Sequence, residues 1–231
     1  MSQDLSFNTV NKSTTGVKQM KITVIGAGNV GSRLAKLFII AGHEVTIGSR
    51  EQEKAVAIAA KLGDTVKGET YRNAAASANV ILITTPWANN ATLDLIPELG
   101  NLTGKIVIDC TNPLAPDYMS NTLGYTTSSA EEIAKLIPGV PVVKAFNTIF
   151  AEVMEPGKQA FDGQKATGFY CGDDAAAKEI VAKLIEDAGF EAVDTGVLKN
   201  ARYLEPMAQL NIQIAYGLGG GTNVAFRYMR R

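Results

Sequence analysis

The amino-acid sequence predicts an α/β protein built on a doubly wound, mostly parallel sheet, with helices on both faces and a small helical extension at the C-terminus. Two observations indicate this class. Short apolar runs alternate along the chain with segments whose apolar residues recur at helical spacing. The apolar runs are continuous, which is typical of strands buried on both faces of a parallel sheet.

The first predicted unit is a strand, a glycine turn and a helix. The run KITVI at 21–25 stops at Gly26, and residues 29–41 then carry apolar side chains at helical spacing until Gly42. Further strands are predicted at 44–47, 79–84, 105–109, 140–144, 166–171 and 191–194. Further helices are predicted at 51–62, 71–78, 87–99, 129–137, 175–188 and 201–231, the last interrupted by GLGGGT at 217–222.

Composition narrows the class of function. The chain has 231 residues, of which 46% are hydrophobic and 19% charged, so a buried core is expected. The formal net charge of −1 argues against nucleic acid or an anionic membrane surface as the main partner. No apolar run approaches the roughly 20 residues of a membrane span. Because Cys110 and Cys171 lack metal-type spacing, we expect no metal site, two reduced thiols and a cytoplasmic protein.

The segment GAGNVG matches the pattern G-x-G-x-x-G and lies between a predicted strand and a predicted helix, the context in which this pattern binds a dinucleotide. The first glycine permits a tight turn, the second lets the backbone approach the pyrophosphate, and the third lets helix and strand pack closely. The helix N-terminus supplies free N–H groups to the anion. The sequence therefore predicts a Rossmann-type fold whose cofactor contacts the loop residues Gly26, Ala27, Gly28, Asn29, Val30 and Gly31.

The tip of the second strand indicates which dinucleotide binds. An Asp or Glu about 20 residues after the loop would bond the ribose 2′-hydroxyl of NAD. Here the strand ends in Ser49 and Arg50, and Lys54 lies at i+4 from Arg50, where we expect both cations on one helix face. A hydroxyl and a guanidinium suit a 2′-phosphate, so NADP(H) is predicted. The alternative is a solvated Arg–Lys pair.

Three further strand ends are expected to face the cofactor, because ligands of doubly wound sheets lie beyond the carboxyl ends of the strands. They carry the candidate residues Thr84, Thr85, Pro86 and Trp87; Asn112 and Pro113; and Lys144, Ala145 and Asn147. Each has a structural alternative: Trp87 as a core aromatic, Asn112 in an ordinary Asn-Pro turn, and Lys144 at a strand that simply ends in polar residues.

The only histidine, His43, is placed in the turn between the first helix and the second strand, at the wrong end of the sheet for chemistry. The chain therefore lacks the histidine acid that many dehydrogenases use. Hydride exchange between two cofactor rings needs no such acid. Lys144 and Asn147 remain candidates for an acid and an orienting group in a different reaction.

The segments VIGAGNVG, IGSRE with Lys54, TTPW and CGDDAAAK resemble the 8-hydroxy-5-deazaflavin:NADPH oxidoreductase family. GKIVIDCTNP, VVKAFNT and CGD are also similar to the cytosolic oxidoreductase domain of the STEAP metalloreductases. The resemblance runs from about residue 20 to the C-terminus. It implies NADPH in the Rossmann cleft, a deazaflavin or flavin opposite it, and a homodimer built partly on the C-terminal helices.

Together these features predict three parts of the chain: a polar, flexible extension at 1–19, an NADP-binding Rossmann domain at 20–160, and residues 161–231, which complete the sheet and the dimer interface. The leading hypothesis is an NADPH-dependent oxidoreductase that passes hydride to a flavin-type or deazaflavin acceptor. One alternative is a reductase of a small carbonyl or imine that uses Lys144 and Asn147. Another is an NADP(H) sensor without turnover.

Overall fold

The computed structural model describes residues 19–231, so the predicted extension at 1–19 lies outside the described residues except for its last member. The strands are β1 Lys21–Ile25, β2 Glu44–Ser49, β3 Lys67–Thr70, β4 Val80–Ile83, β5 Ile106–Asp109, β6 Val142–Ala145, β7 Ala160–Phe161, β8 Gln164–Lys165, β9 Thr167–Gly172 and β10 Glu191–Asp194. The α-helices are α1 Asn29–Ile40, α2 Gln52–Leu62, α3 Tyr71–Ser77, α4 Ala91–Leu95, α5 Ser129–Leu136, α6 Ala175–Asp187 and α7 Ala201–Ile212.

Eight strands form one sheet in the order β10-β9-β6-β5-β4-β1-β2-β3, while β7 and β8 make a separate hairpin. Neighbouring strands are parallel except β6 and β9, where Ala145 lies opposite Tyr170. The predicted fold class is confirmed. β9 and β10 come from the chain after residue 160 and continue the sheet beyond β6; the division into domains at 160 stays a prediction.

The sheet separates two apolar cores, because successive side chains of a strand point to opposite faces. On β4, Val80 and Leu82 pack with α1, α2 and α6. Ile81 and Ile83 pack with α3, α4, α5 and α7. Between residues 19 and 231 no helix has both the length and the apolar character needed to cross a membrane.

Two segments form strands that the sequence pattern does not predict. β3 has the sequence KGET, without an apolar run, and forms at the sheet edge through pairing with β2. The β7–β8 hairpin joins two-residue strands. The helix predicted at 87–99 is instead broken into short turns, because Asn90 has a left-handed φ of 59° and Pro97 cannot donate a helical hydrogen bond.

The C-terminal segment also differs from the prediction. α7 ends at Ile212 and a π turn follows at Gln213–Gly217, but residues 218–231 are not helical. The tail instead lies against β9: the Thr167 amide donates to the Phe226 carbonyl at 3.0 Å, and the Tyr228 amide donates to the Thr167 hydroxyl at 2.9 Å. Positive φ angles of 71° at Gly219 and 75° at Gly221 turn the chain in this direction.

A buried ion cluster ties the carboxyl ends of β5 and β6 to α5 and α7. The Lys144 ammonium on β6 lies 2.9 Å from Asp109 Oδ2 on β5 and 2.8 Å from Glu205 Oε1 on α7. It also donates to the Ser129 hydroxyl on α5 at 2.7 Å and to the Thr111 carbonyl. Side-chain exposure is 0% for Lys144 and Asp109 and 1% for Glu205, so the cluster is isolated from solvent.

The charged groups of this cluster shift one another's pKa values. Burial lowers the pKa of Lys144, but attraction by Asp109 and Glu205 outweighs it and raises the pKa above its ordinary value. Burial raises the pKa of Glu205, and Lys144 offsets only part of that rise. Ser129 donates its amide to Glu205 Oε1 at 2.9 Å, which holds the carboxylate at the start of α5. Lys144 is therefore a structural cation.

We expect Lys144→Met to lower the free energy of unfolding by about 3–5 kcal/mol, because the substitution leaves two buried carboxylates without their cation. Glu205→Gln is the matched control: it keeps an acceptor for Ser129 and Lys144 and leaves one Lys144–Asp109 pair, so it should cost less than about 1.5 kcal/mol. Urea unfolding of both variants measures the difference. Equal stability of Lys144→Met and the wild type would contradict the structural role.

Candidate functional site

The glycine loop is held in shape by the segment that follows β4. Gly26 has a φ of +92°, and a Cβ at this position would lie 2.8 Å from Thr85 Cγ2. A Cβ on Gly31 would lie 2.0 Å from the Gly26 carbonyl oxygen, so helix α1 can approach β1 only without a side chain there. Thr84 donates its hydroxyl to the carbonyls of Gly26 and Ile25. Thr84 and Gly31 thus shape the loop, and their contacts are with the protein itself.

The middle of the loop is open towards solvent. Gly28 is the N-cap of α1, and a Cβ there would meet nothing within 4 Å. No side chain caps the helix and its first turn holds no acid, so the terminal N–H groups are available to an anion. Ala27 is engaged within the protein, since its carbonyl accepts from the Ser32 hydroxyl at 2.8 Å. The open space beside the Gly28 Cα fits close approach by a pyrophosphate.

Ser49 and Arg50 lie at the carboxyl end of β2, as predicted. The expectation that Arg50 and Lys54 share a helix face is wrong, because α2 begins at Gln52 and Arg50 precedes its N-cap, Glu51. Lys54 is instead paired with Glu51 at 2.7 Å in an exposed ion pair. Such a pair is weak, so Arg50 is the better candidate for a 2′-phosphate, and the contribution of Lys54 stays a prediction.

The segment after β4, residues 85–87, mainly makes contacts within the protein. Trp87 is 6% exposed and belongs to the apolar core, which favours its structural alternative over a cofactor contact. Thr85 shares a hydrogen bond of 2.9 Å with Thr92, whose hydroxyl lies 3.1 Å from the Pro86 carbonyl. Pro86 itself is exposed at the edge of the loop.

Two asparagines bridge the ends of β5 and β6. Asn112 Nδ2 donates to the Asn147 carbonyl at 2.9 Å, and Asn147 Nδ2 donates to Asn112 Oδ1 at 3.0 Å and to the Leu204 carbonyl at 3.0 Å. Phe146 has a left-handed φ of 64°, which is unusual for a bulky residue and turns the chain before Asn147. Asn147 Oδ1 and Thr148 Oγ1 are buried without a hydrogen-bond partner. Buried orphan atoms of this kind suit the carboxamide of a nicotinamide.

These residues line a cavity of about 280 Å³, which we call the central crevice. Its wall includes Asn29 and Val30 from the glycine loop, as well as Asn112 and Asn147. Ala145 is fully buried beneath it, and Pro113 is buried with its carbonyl accepting from the Thr122 amide at 2.7 Å. Neither Ala145 nor Pro113 lines the crevice, so their predicted contacts with the cofactor are not supported by this geometry.

The proton donors considered from the sequence do not reach the central crevice. Lys144 was expected to face it, but its ammonium is enclosed by Asp109, Glu205 and Ser129. His43 is a structural residue: it accepts from the Met20 amide at 3.3 Å and lies 3.3 Å from Asp187. Burial lowers the pKa of His43, and Asp187 offsets part of this effect.

Sequence reasoning missed the wall that α7 and the π turn contribute. Ala208, Asn211, Ile212 and Tyr216 line the central crevice. Asn211 is 6% exposed, and the sequence gives no local signal for this burial, because α7 carries other polar residues such as Arg202 and Gln209. The placement of this wall depends on long-range contacts such as the Asn147–Leu204 bond, which local patterns do not reveal.

A second cavity of about 530 Å³, the side cavity, adjoins the central crevice. The two share Phe150, Ile212 and Tyr216, and the side cavity adds Leu114, Asp117, Tyr118 and Met119. Phe150 and Tyr216 meet edge to face with ring centroids 6.1 Å apart. A dinucleotide along the loop would therefore end beside an apolar, aromatic space.

Comparison with known proteins agrees with this geometry. The family described as NADP oxidoreductase, coenzyme F420-dependent, matches residues 21–113. The F420-dependent NADP reductase of Methanothermobacter thermautotrophicus is 35% identical over 214 residues, covering 86% of this chain and 90% of that protein. The metalloreductase STEAP3 of Rattus norvegicus is 30% identical over 185 residues, covering 80% of this chain and 36% of that protein.

A solved structure shows the same similarity across nearly the whole chain. It is a crystal structure from Arthrobacter sp. FB24, provisionally assigned as an F420-dependent NADP-reductase. It has a TM-score of 0.81 and 32% identity, and the match covers 91% of this chain and 100% of that one. The predicted resemblance is confirmed: the chain belongs to the family of F420-dependent NADP reductases and is an NADP-dependent oxidoreductase.

Proposed function

We propose that this enzyme transfers hydride between NADP(H) and a flavin-type or deazaflavin ring, and that its residues act by aligning the two rings. The observation that carries the proposal is the pair of adjoining cavities. The central crevice continues the cofactor loop, and the side cavity beside it is apolar and aromatic. Within residues 19–231, no lysine, arginine or histidine lines either cavity.

The residues present fit NADP(H). Gly28 leaves the approach to the free N–H groups of α1 open, and Arg50 is exposed where a 2′-phosphate would lie. Asn147 Oδ1 and Thr148 Oγ1 supply unpaired polar atoms at the other end. When bound, NADPH supplies a hydride from its nicotinamide, and the protein's contribution is to orient that ring and keep water away.

The proposed hydride transfer needs no proton-donating side chain, because its atoms and electrons balance between the two rings and water. One C–H bond of the dihydronicotinamide breaks and one N–H or C–H bond forms on the acceptor ring, which gains two electrons as NADPH loses two. The second hydrogen reaches the acceptor as a proton from water. No side chain has to store that proton.

The carbonyl or imine reductase alternative needs a positioned acid. Lys144 is not available for this role, because its ammonium is enclosed in the ion cluster. Glu152, Asp117, Tyr118 and Tyr216 carry the remaining candidate acids among the lining residues, and of these four Tyr216 lines both cavities. The sensor alternative is distinguished from both reductases by the absence of turnover with any acceptor.

Tyr216→Phe should retain NADPH-dependent ring reduction within about threefold, because the proposal requires the aromatic ring and not its hydroxyl. Steady-state assays with riboflavin or a deazaflavin measure this. Tyr216→Leu should raise KM for the acceptor, since it removes the aromatic wall. A loss of about 10²-fold or more in Tyr216→Phe, with NADPH affinity unchanged, is the size expected for a general acid and would favour the imine or carbonyl reductase.

NADPH should bind more tightly than NADH. Arg50→Ala should weaken NADPH by about 1.5–3 kcal/mol, the value of a charge-assisted hydrogen bond, and should leave NADH nearly unchanged. Titration calorimetry gives both dissociation constants. Lys61→Ala is the matched control, because it removes one positive charge from the last turn of α2. It should change neither the affinity for NADPH nor the affinity for NADH. Equal affinity of the wild type for the two nucleotides would contradict the assignment of Arg50.

We also propose a homodimer formed on the C-terminal face. Leu210, Ile214, Leu218 and Met229 are large apolar residues of α7 and the chain after it that are left exposed, and exposed apolar surface often marks an interface. Leu210→Glu combined with Ile214→Glu should give a monomer by light scattering. Ile40→Glu, on α1, is the matched control and should remain dimeric. A wild type that is monomeric at micromolar concentration would count against this interface.

A further inference from the structure

Glu152 is the only charged residue that lines the central crevice, among residues 19–231. It belongs to a 3₁₀ turn at Ala151–Met154, which comes after β6. Val153 and Met154 of this turn are fully buried in the apolar core and anchor it. The other two members, Ala151 and Glu152, are half-buried and line the crevice. The turn therefore presents an acid to the space where the cofactor is proposed to end.

In the described part of the chain, no cation neutralises this acid. The Glu152 carboxylate forms none of the ion pairs found there. Arg33 on α1 is bound instead to Glu155, with Nε 2.5 Å from Oε1, and this hydrogen bond lowers the pKa of Glu155. The ammonium of Lys144 is held by the two carboxylates of the ion cluster. The negative charge of Glu152 is thus left without a partner at the wall of the crevice.

The size of the crevice lets this charge act on a ring bound inside it. A cavity of about 280 Å³ is on the order of 8 Å across, which is within the Debye length of about 10 Å at 0.1 M ionic strength. Asn147 Oδ1 and Thr148 Oγ1, the unpaired atoms that suit a nicotinamide carboxamide, belong to residues that line the same crevice. A nicotinamide held by these atoms would therefore interact with the charge of Glu152.

The two redox states of the cofactor differ in the charge of this ring. The nicotinamide of NADP⁺ is a cation and the dihydronicotinamide of NADPH is neutral, while the phosphates of the two molecules are the same. An acid beside the ring attracts the oxidised form and has no comparable attraction for the reduced form. Glu152 is thus placed to stabilise one member of the couple and not the other.

We infer that Glu152 raises the affinity of the enzyme for NADP⁺ relative to NADPH, and so makes bound NADPH a stronger hydride donor. The inference rests on the proposed function, from which it takes the position of the nicotinamide, and deepens it by naming a residue that sets the redox balance of the site. Each tenfold of preference for NADP⁺ lowers the reduction potential of the bound two-electron couple by about 30 mV.

The experiment measures the dissociation constants of NADP⁺ and NADPH by titration calorimetry on the whole chain, without any acceptor. The preference for NADP⁺ is the NADPH constant divided by the NADP⁺ constant. Glu152→Gln should lower this ratio by about three- to tenfold, mainly by weakening NADP⁺. Glu152→Asp keeps the charge and should keep most of the preference, whereas Glu152→Lys should lower it further. Glu191→Gln, which neutralises a half-buried acid on β10 outside the crevice, is the matched control and should leave the ratio unchanged.

Adenosine 2′,5′-bisphosphate separates an electrostatic role of Glu152 from a structural one, because this fragment lacks the nicotinamide. Glu152→Gln should bind the fragment as tightly as the wild type does. Equal weakening of NADP⁺, NADPH and the fragment would show that the substitution only damages the fold, and would overturn the inference. An unchanged ratio of the two cofactor constants in Glu152→Gln would overturn it as well.

Turnover with riboflavin or a deazaflavin is measured separately, so the inference and the proposed function can fail independently. Reduction of either ring, together with an unchanged ratio in Glu152→Gln, leaves the proposed function standing and contradicts the inference. A ratio that falls as expected, in an enzyme that reduces neither ring, has the opposite meaning: Glu152 has the inferred role and the proposed hydride transfer between rings fails.

Discussion

The ion cluster of Lys144, Asp109 and Glu205 is the interaction on which the site depends. Its three charged members come from β6, β5 and α7, and its hydrogen bonds reach α5 through Ser129. Glu205 follows Leu204, whose carbonyl accepts from the Asn147 side chain at the floor of the crevice. Because isolated charges cannot remain in an apolar interior, the cluster is stable only when all three elements are in place. The position of the α7 wall is thereby coupled to the carboxyl ends of β5 and β6.

The two ends of the ligand groove have opposite character. At the β2 end, an uncapped helix and Arg50 provide sites for anions. At the α7 end, aromatic residues line the side cavity and its one charge is Asp117. Phosphates are therefore favoured at the β2 end, and the aromatic end suits a ring. Asn147, whose Oδ1 is buried without a hydrogen-bond partner, lines the central crevice between the two regions.

The sequence predicted the parts of the fold whose signals are local. A continuous apolar run is enough to mark β4, and the glycine spacing of the loop reflects packing within one turn, as at Gly31. β3 escaped prediction because KGET gains its stability from the neighbouring strand and not from burial of its own side chains. The expectation that Lys144 faces the cofactor is not supported by the geometry for a similar reason: its partner Glu205 is 61 positions away, and nothing in VVKAF indicates a buried acid. Trp87 likewise reveals its burial only when the second core is assembled.

The use of buried charge in this protein has a consequence for its chemistry. Lys144, at the end of β6, was a candidate acid, but its proton is held by two carboxylates that stabilise the charged form. Burial raises the pKa of Cys171 to about 12 and that of Cys110 well above its ordinary value, so neither thiol provides a thiolate. The central crevice is left with amides, a threonine hydroxyl, a tyrosine and the half-buried acid Glu152 as its polar groups. A site of this composition offers few groups that could activate a carbonyl, which is why the proposed function assigns the protein the role of aligning rings.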